Sequence, residues 1–270
     1  MFLTKKGFFK ILIMAIVYFV LGSACIAAWA IFGSIGISAN TLCVLGVITY
    51  LLCVIMIFWG RYAEGKGILI NLGNKLVRNE LKPMEFIKHY EELKNSTDLV
   101  IKKPSIEVLH LVAIAYDALN DKENALATVE EMIAVANEKK KAFSKLIKAS
   151  LLFSYGEVAD AEAIFIEMQS QKLDFMSTAL VDAILKSDRA MAMGEYKTVE
   201  AYILGSLERK FPKLDNLSRL VAEYQLGEIY EKLQENQKAV AHYEYCANFG
   251  GETAIKNSAI EKLQNLKTEN

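Results

Sequence analysis

The sequence predicts an all-α protein in which a two-helix membrane hairpin is followed by a stack of helical hairpins. Three observations carry this expectation. From Ile11 to Gly60 there is no Asp, Glu, Lys or Arg, although 23% of the whole chain is charged. Beyond Gly60, apolar residues recur at three- and four-residue spacing, and no stretch alternates as a strand would. Glycine is sparse in that region and the entire chain holds three prolines, so little interrupts a run of helices.

The uncharged stretch is too long for one crossing and suits two. Its break falls at Gly33-Ser34-Ile35-Gly36-Ile37-Ser38-Ala39-Asn40, where glycine, serine and asparagine supply turn chemistry. On either side, Ile11–Phe32 and Thr41–Trp59 each have the roughly 20 apolar residues that span a hydrocarbon core. Backbone amides in lipid must be satisfied within their own segment, which dictates helix. Trp29 and Trp59 stand near the ends of the two spans, where aromatic rings favour the interface. Lys5, Lys6 and Lys10 precede the first span, Arg61, Lys66, Lys75 and Arg78 follow the second, and the turn between them is uncharged. The positive-inside rule then puts both termini and the region beyond Gly60 in the cytoplasm of a multi-pass membrane protein. A cleaved signal peptide has a shorter apolar core. A lipoprotein signal at Leu21-Gly22-Ser23-Ala24-Cys25 has glycine where leucine is required. The Ile-, Lys- and Glu-rich, proline-poor composition suits an AT-rich bacterium, and so a plasma membrane.

The region beyond the spans is mildly acidic, and the chain as a whole carries a formal charge of −1. No basic face of the kind that neutralises phosphates is evident, which argues against a nucleic-acid partner. Lys139-Lys140-Lys141 reads as a solvated helix end or loop. Cys25, Cys43, Cys53 and Cys246 show no metal-ligand or disulfide pattern and read as small packing residues. With a cytoplasmic repeat region, the glycosylation-like Asn95-Ser96-Thr97 and Asn216-Leu217-Ser218 are chance matches.

An internal repeat is present. Residues 226–243 run Leu226-Gly227-x-x-Tyr230, then Ala239-x-x-x-Tyr243. Tyr116 precedes Ala125 by the same offset as Tyr230 precedes Ala239. Gly156, Ala161 and Phe165 repeat the turn glycine, small residue and aromatic, and Gly194, Tyr196, Val199 and Ile203 give a weaker copy. Antiparallel helices approach closely only where one carries a small side chain, so Ala125, Ala161 and Ala239 are expected at crossings, with Gly227 opposite. The pattern resembles the tetratricopeptide repeat, and the resemblance covers about residues 105–250. It implies an α-solenoid whose first helices line a concave groove for peptides. The chain departs from the family in two ways: the small residue recurs at intervals of 36, 38 and 40 against the usual period of about 34, and the opening tryptophan is missing from every copy. Val199 in place of alanine predicts a slightly splayed hairpin.

The flanks complete the plan. Ile68–Leu81 and Pro83–Leu93 read as a degenerate leading hairpin that joins the anchor to the repeats. Pro83 and Pro104 are expected in first helical turns, and Pro212 in a loop. Thr253–Leu266 is amphipathic, with Ala254, Ile255, Ala259, Ile260 and Leu263 on one face, as a solenoid's capping helix should be. The expected organisation is therefore 1–60 membrane anchor, 61–103 linker and leading hairpin, and 104–270 repeat domain with cap.

Little in the sequence points to chemistry. His89, His110 and His242 are far apart, and no phosphate loop, nucleophile elbow or dinucleotide fingerprint occurs. Glu91-Glu92 and Glu130-Glu131 are helix neighbours that point about 100° apart, so neither can act as an acid/base pair alone. No cofactor, metal or small-molecule substrate is expected, and the chain reads as a non-enzyme. Projecting the family's inward-facing positions implies a partner-binding groove of His110, Asp117, Leu146, Ser150, Asp188, Tyr224, Glu228 and Glu231, suited to a protein or peptide with basic and apolar side chains. The family's chaperone-tail clamp of lysine and asparagine is absent, since the matching places hold His110, Ile114, Ile147, Ser150 and Val181. The expected function is a membrane-anchored scaffold or adaptor. The alternative is a structural subunit or assembly factor of a secretion, division or envelope complex, with Gly22, Ala24, Ala27 and Ala28 as small residues for contact with other spans.

Overall fold

The computed structural model describes residues 66–95, 104–209 and 213–268, together with Ile48, Leu51, Leu52 and Ile55, which are helical and exposed. The chain divides into two compact units, Met1–Gly65 and Lys66–Asn270. The two expected spans lie outside the described residues except at those four positions. No helix among the described residues is long and apolar enough to cross a membrane. Among the described residues there is no strand.

The second unit is a succession of antiparallel helical hairpins. Residues 66–79 form α1, which is α-helical to Gly73 and π-helical over Asn74–Asn79. It is followed by α2 (Pro83–Lys94), α3 (Ile106–Ala118), α4 (Lys122–Val135), α5 (Glu138–Ser154) and α6 (Val158–Gln169). Then come α7 (Phe175–Lys186), α8 (Asp188–Ala192), α9 (Tyr196–Leu207), α10 (Asn216–Lys232), α11 (Asn236–Phe249) and α12 (Ala254–Thr268). Pro83 is the first residue of α2, as expected. Pro104 instead stands just outside α3, because Ser105 takes the capping position and accepts from the Val108 amide. Pro212 lies outside the described residues.

Four hairpins (α3–α4, α5–α6, α7/α8–α9 and α10–α11) share one construction. Each first helix starts at a short polar side chain, Ser105, Asn137, Asp174 or Asp215, that accepts a backbone N–H three residues on. Each first helix stops at a left-handed residue: Asn120 (φ 57°), Gly156 (φ 77°), Gly194 (φ 75°) or Gln234 (φ 60°). In all four turns the next amide, of Asp121, Glu157, Glu195 or Glu235, reaches back to the carbonyl of Tyr116, Leu152, Ala190 or Tyr230. This bond satisfies a carbonyl the ending helix leaves free and fixes the angle at which the second helix departs. The same turn therefore recurs at 36, 38 and 40 residues.

Five residues after each turn comes the crossing. Ala125, Ala161, Val199 and Ala239 are fully buried, and one helical turn later so are Val129, Phe165 and Tyr243, with Ile203 at 4%. The small side chains let the backbones approach, and the larger ones fill the space beside them. Burying a side chain the size of Phe165 contributes roughly 1.5–3 kcal/mol. Val199 is as buried as the three alanines, and the two sides of its hairpin meet over less of their length than in the other three, in keeping with the larger residue at the crossing. The first helix of this hairpin also breaks between α7 and α8 at Ser187 (φ −116°, ψ −83°).

The ends depart from a simple open stack. The leading hairpin α1–α2 lies in the same compact unit as the four hairpins and packs on them. Leu69, Leu76 and Val77 of α1 and Phe86 and Tyr90 of α2 share a continuous core with Leu111, Val112 and Ala115 of α3 and with Leu217, Leu220 and Leu226 of α10. Helix α1 packs against α2, α3 and α10 together, so it bridges the first and fourth hairpins. At the other end α12 covers α11 as the expected cap, with Ala259 and Leu266 buried.

Candidate functional site

The eight residues expected to line a groove fall on α3, α5, α8 and α10, and six of them gather into two groups. The first lies where α3, α5 and α8 meet. Tyr155 donates its hydroxyl to Asp117 at 2.8 Å, and Ser150 donates to Asp188 at 2.5 Å. Burial pushes the Asp188 carboxyl up to about 6, its serine hydrogen bonds oppose the shift, and the nearby Asp117 carboxylate adds to it. Burial raises the Asp117 carboxyl as well, against the hydrogen bond from Tyr155. Asp117 and Asp188 are thus partly buried carboxylates whose hydrogen-bond partners here are hydroxyl donors.

The second group lies between α10, α11 and α12. The Tyr224 and Tyr243 rings are 5.6 Å apart, and the Tyr243 hydroxyl donates to Glu231 at 2.8 Å. Lys262 of α12 holds both Glu231 oxygens at 3.0 Å. Burial works against ionisation of Glu231, yet Lys262 and Tyr243 hold its carboxyl below the usual range. Glu228 shows the reverse: burial raises its carboxyl despite the charges of Lys262 and Lys232.

Two residues belong to neither group. His110 meets Phe143 edge-on at 5.6 Å, and burial, helped by the Arg78 charge, holds its imidazole down to about 4, so it is neutral at physiological pH. Leu146 is fully buried among Phe153, Phe165 and Met168, so it is a core residue that presents nothing to a partner. Ile147 and Ser150 beside it are partly buried.

Tyr155, Lys262 and Arg78 were not expected in these surroundings. Tyr155 immediately precedes the turn Gly156, but no local signal marks it as the donor to Asp117, 38 residues away. Nothing in the sequence places Arg78 of α1 beside α3 and α10, where it pairs with Asp215 at 3.0 Å. Cys246 is buried against the Leu220 carbonyl, and burial pushes its thiol up to about 12, so it packs as a small apolar group. The other three cysteines lie outside the described residues. Among the described residues, no three His, Cys, Asp or Glu side chains converge as metal ligands. No family model, curated protein or solved structure matches the chain.

Proposed function

We propose that this protein is a membrane-anchored scaffold of tetratricopeptide-repeat type, whose helical repeats recruit a cytoplasmic protein or peptide to the bilayer. The uncharged Ile11–Gly60 stretch and its flanking lysines and arginines support the anchor and its orientation. The single observation that carries the docking role is the Asp117–Asp188 pair. Both carboxyls are raised by burial, and the hydrogen bonds that oppose this come from neutral hydroxyls. A lysine or arginine from a partner would supply the missing counter-charge, so the favoured ligand is a peptide segment with basic and apolar side chains. Backbone rigidity from the four equal turns would hold the two acids in place without a partner, which reduces the ordering cost of binding.

Photo-crosslinking in intact membranes tests this reading. A benzoylphenylalanine at Tyr155 or Tyr224 is expected to capture a discrete protein, whereas one at Phe249, exposed on the outer helix α11, is not. Converting Asp117 and Asp188 together to asparagine should lower the yield at Tyr155 about tenfold, in line with loss of a partly buried charge pair. Equal capture from Phe249, or a yield indifferent to the two asparagines, refutes the placement. Capture of another membrane protein through the spans favours the alternative of a subunit in a membrane assembly.

A further inference from the structure

Helix α1 begins at Lys66, which follows Gly60 by a few residues that reach at most about 20 Å when extended. This start lies beside α5. Lys66 and Lys140 hold the same carboxylate, that of Glu107 in the first turn of α3, at 2.9 and 2.6 Å. Two positive charges there meet one negative. Next to them a cleft of about 170 Å³ opens between the start of α5 and the end of α6. Ala142 and the buried Met168 line it, together with Glu138, Lys141, Lys145 and Gln171. Lys141 pairs with Glu138 at 3.6 Å and Lys145 with Glu167 at 2.7 Å.

From Gln171 the chain runs on into an exposed apolar tip. Lys172 is exposed and makes no ion pair among the described residues. Leu173 packs onto the core around Phe165, and Asp174 accepts the Ser177 N–H at 2.7 Å. Phe175 and Met176 then stand 86% and 62% exposed, and Phe175 is more exposed than any other large apolar side chain described. Helix α7 has no charge from Phe175 to Val181, and of its twelve residues only Ser177 and Ile184 are buried. The Asp174 cap fixes the turn that presents the two side chains to solvent. Exposed phenylalanine and methionine beside lysines match the make-up of a segment that settles into a headgroup layer, with the apolar groups among acyl chains and the ammonium groups among phosphates.

We propose that the edge formed by Lys66, Lys140, Lys141, Lys172, Phe175 and Met176 rests on an anionic lipid surface, with Phe175 and Met176 inserted at the interface and the lysines over lipid phosphates. That this surface is the bilayer holding the chain rests on the anchor of the proposed function, but the lipid contact itself does not. Charge selects the occupant. Anionic headgroups attract each lysine that comes within a Debye length of them, and no partner of defined shape is needed. Lysine, a compact charge on a flexible stem, suits such a diffuse layer of phosphates. Asp117 stands at the far end of α3 from Glu107, so a partner docked at Asp117 and lipid at this edge do not compete.

Lipid photo-crosslinking of the full-length protein in nanodiscs tests the contact. Benzoylphenylalanine in place of Phe175 is expected to capture a tritiated phospholipid about fivefold more in discs that mix phosphatidylglycerol with phosphatidylcholine than in phosphatidylcholine alone. The same probe in place of Glu123, exposed in the first turn of α4 beyond the far end of α3, should give background in both. Lys141→Gln with Lys172→Gln should bring the Phe175 yield in anionic discs down to its level in neutral ones. An unchanged thermal unfolding midpoint should show that the fold of this variant is intact. A Phe175 yield no higher than that at Glu123, or one indifferent to phosphatidylglycerol and to the two glutamines, overturns the proposal. A chain that fails to enter the discs refutes the anchor alone. The contact is then read by sedimentation with added phosphatidylglycerol vesicles, where binding that the two glutamines abolish sustains it and absence of binding overturns it.

Discussion

Gly227 and Tyr243 form a tight helix crossing, for a β-carbon on Gly227 would stand 2.6 Å from the tyrosine ring. The ring is fully buried and its hydroxyl is anchored on Glu231, so it cannot swing aside without breaking that bond. Gly227→Ala is therefore expected to destabilise the domain by about 1–3 kcal/mol, the usual penalty of overpacking. Gly205 is the control. It lies within α9 with open space about it, and Gly205→Ala should stabilise by about 0.5–1 kcal/mol through helix propensity alone. Thermal unfolding of the two variants should shift in opposite directions.

The place of Leu146 separates a core role from a groove role. As a fully buried member of the cluster around Phe165, Leu146→Ala should cost about 2–5 kcal/mol. A groove-lining leucine would cost a few tenths, as surface substitutions do. Chemical denaturation with a lowered midpoint and unchanged slope is the expected outcome.

The hairpins were legible because their cause is local. A left-handed turn residue, a small residue five positions on and a bulky one four further are set by backbone sterics, which the sequence records at Gly156-Ala161-Phe165 and again at Gly194-Val199-Ile203. The matching small residues of the first helices, Ala113 and Ala149, both buried, carry the same signal and could have been read beside Gly227. Turns at Asn120 and Gln234 were harder to see, since neither is glycine. What the sequence could not disclose was long-range. The pairing of Arg78 with Asp215 joins residues 137 apart, and no periodicity encodes which distant helix end a given arginine meets. The group at Asp117 and Asp188 was half visible: the acids were named, but Tyr155 as donor follows only from how α3 and α5 pack.

Asp188 should make the stability of the domain depend on pH. Its folded value of about 6 lies above the ordinary 3.8, so the folded state holds the proton more tightly than the unfolded chain. The stabilisation is complete below about 4 and is lost as pH rises through about 6. Asp188→Asn, which cannot ionise and can still accept from Ser150, should raise stability at pH 8 by about 1–3 kcal/mol. At pH 3.5 it should change little. Equal effects at both pH values would contradict the burial assigned to this carboxyl.

Glu107 should behave in the opposite sense. Burial opposes its ionisation, but Lys140 at 2.6 Å and Lys66 at 2.9 Å hold its carboxyl down to about 2. Its contribution is present above about 4.5 and disappears as pH falls towards 2. The carboxylate is 40% exposed, so solvent screens the pair and Glu107→Gln should cost only about 0.5–1 kcal/mol at pH 7. That cost should vanish near pH 2, as read by urea denaturation at the two pH values.

Tethering of the repeats to a bilayer is tested most directly by alkaline carbonate extraction of membranes from cells that express the full-length chain. Lipid-spanning helices resist this treatment, whereas proteins held at the surface by charge do not. Retention of the chain in the membrane pellet is the expected result, and its release into the supernatant would contradict the anchor and the scaffold role built on it.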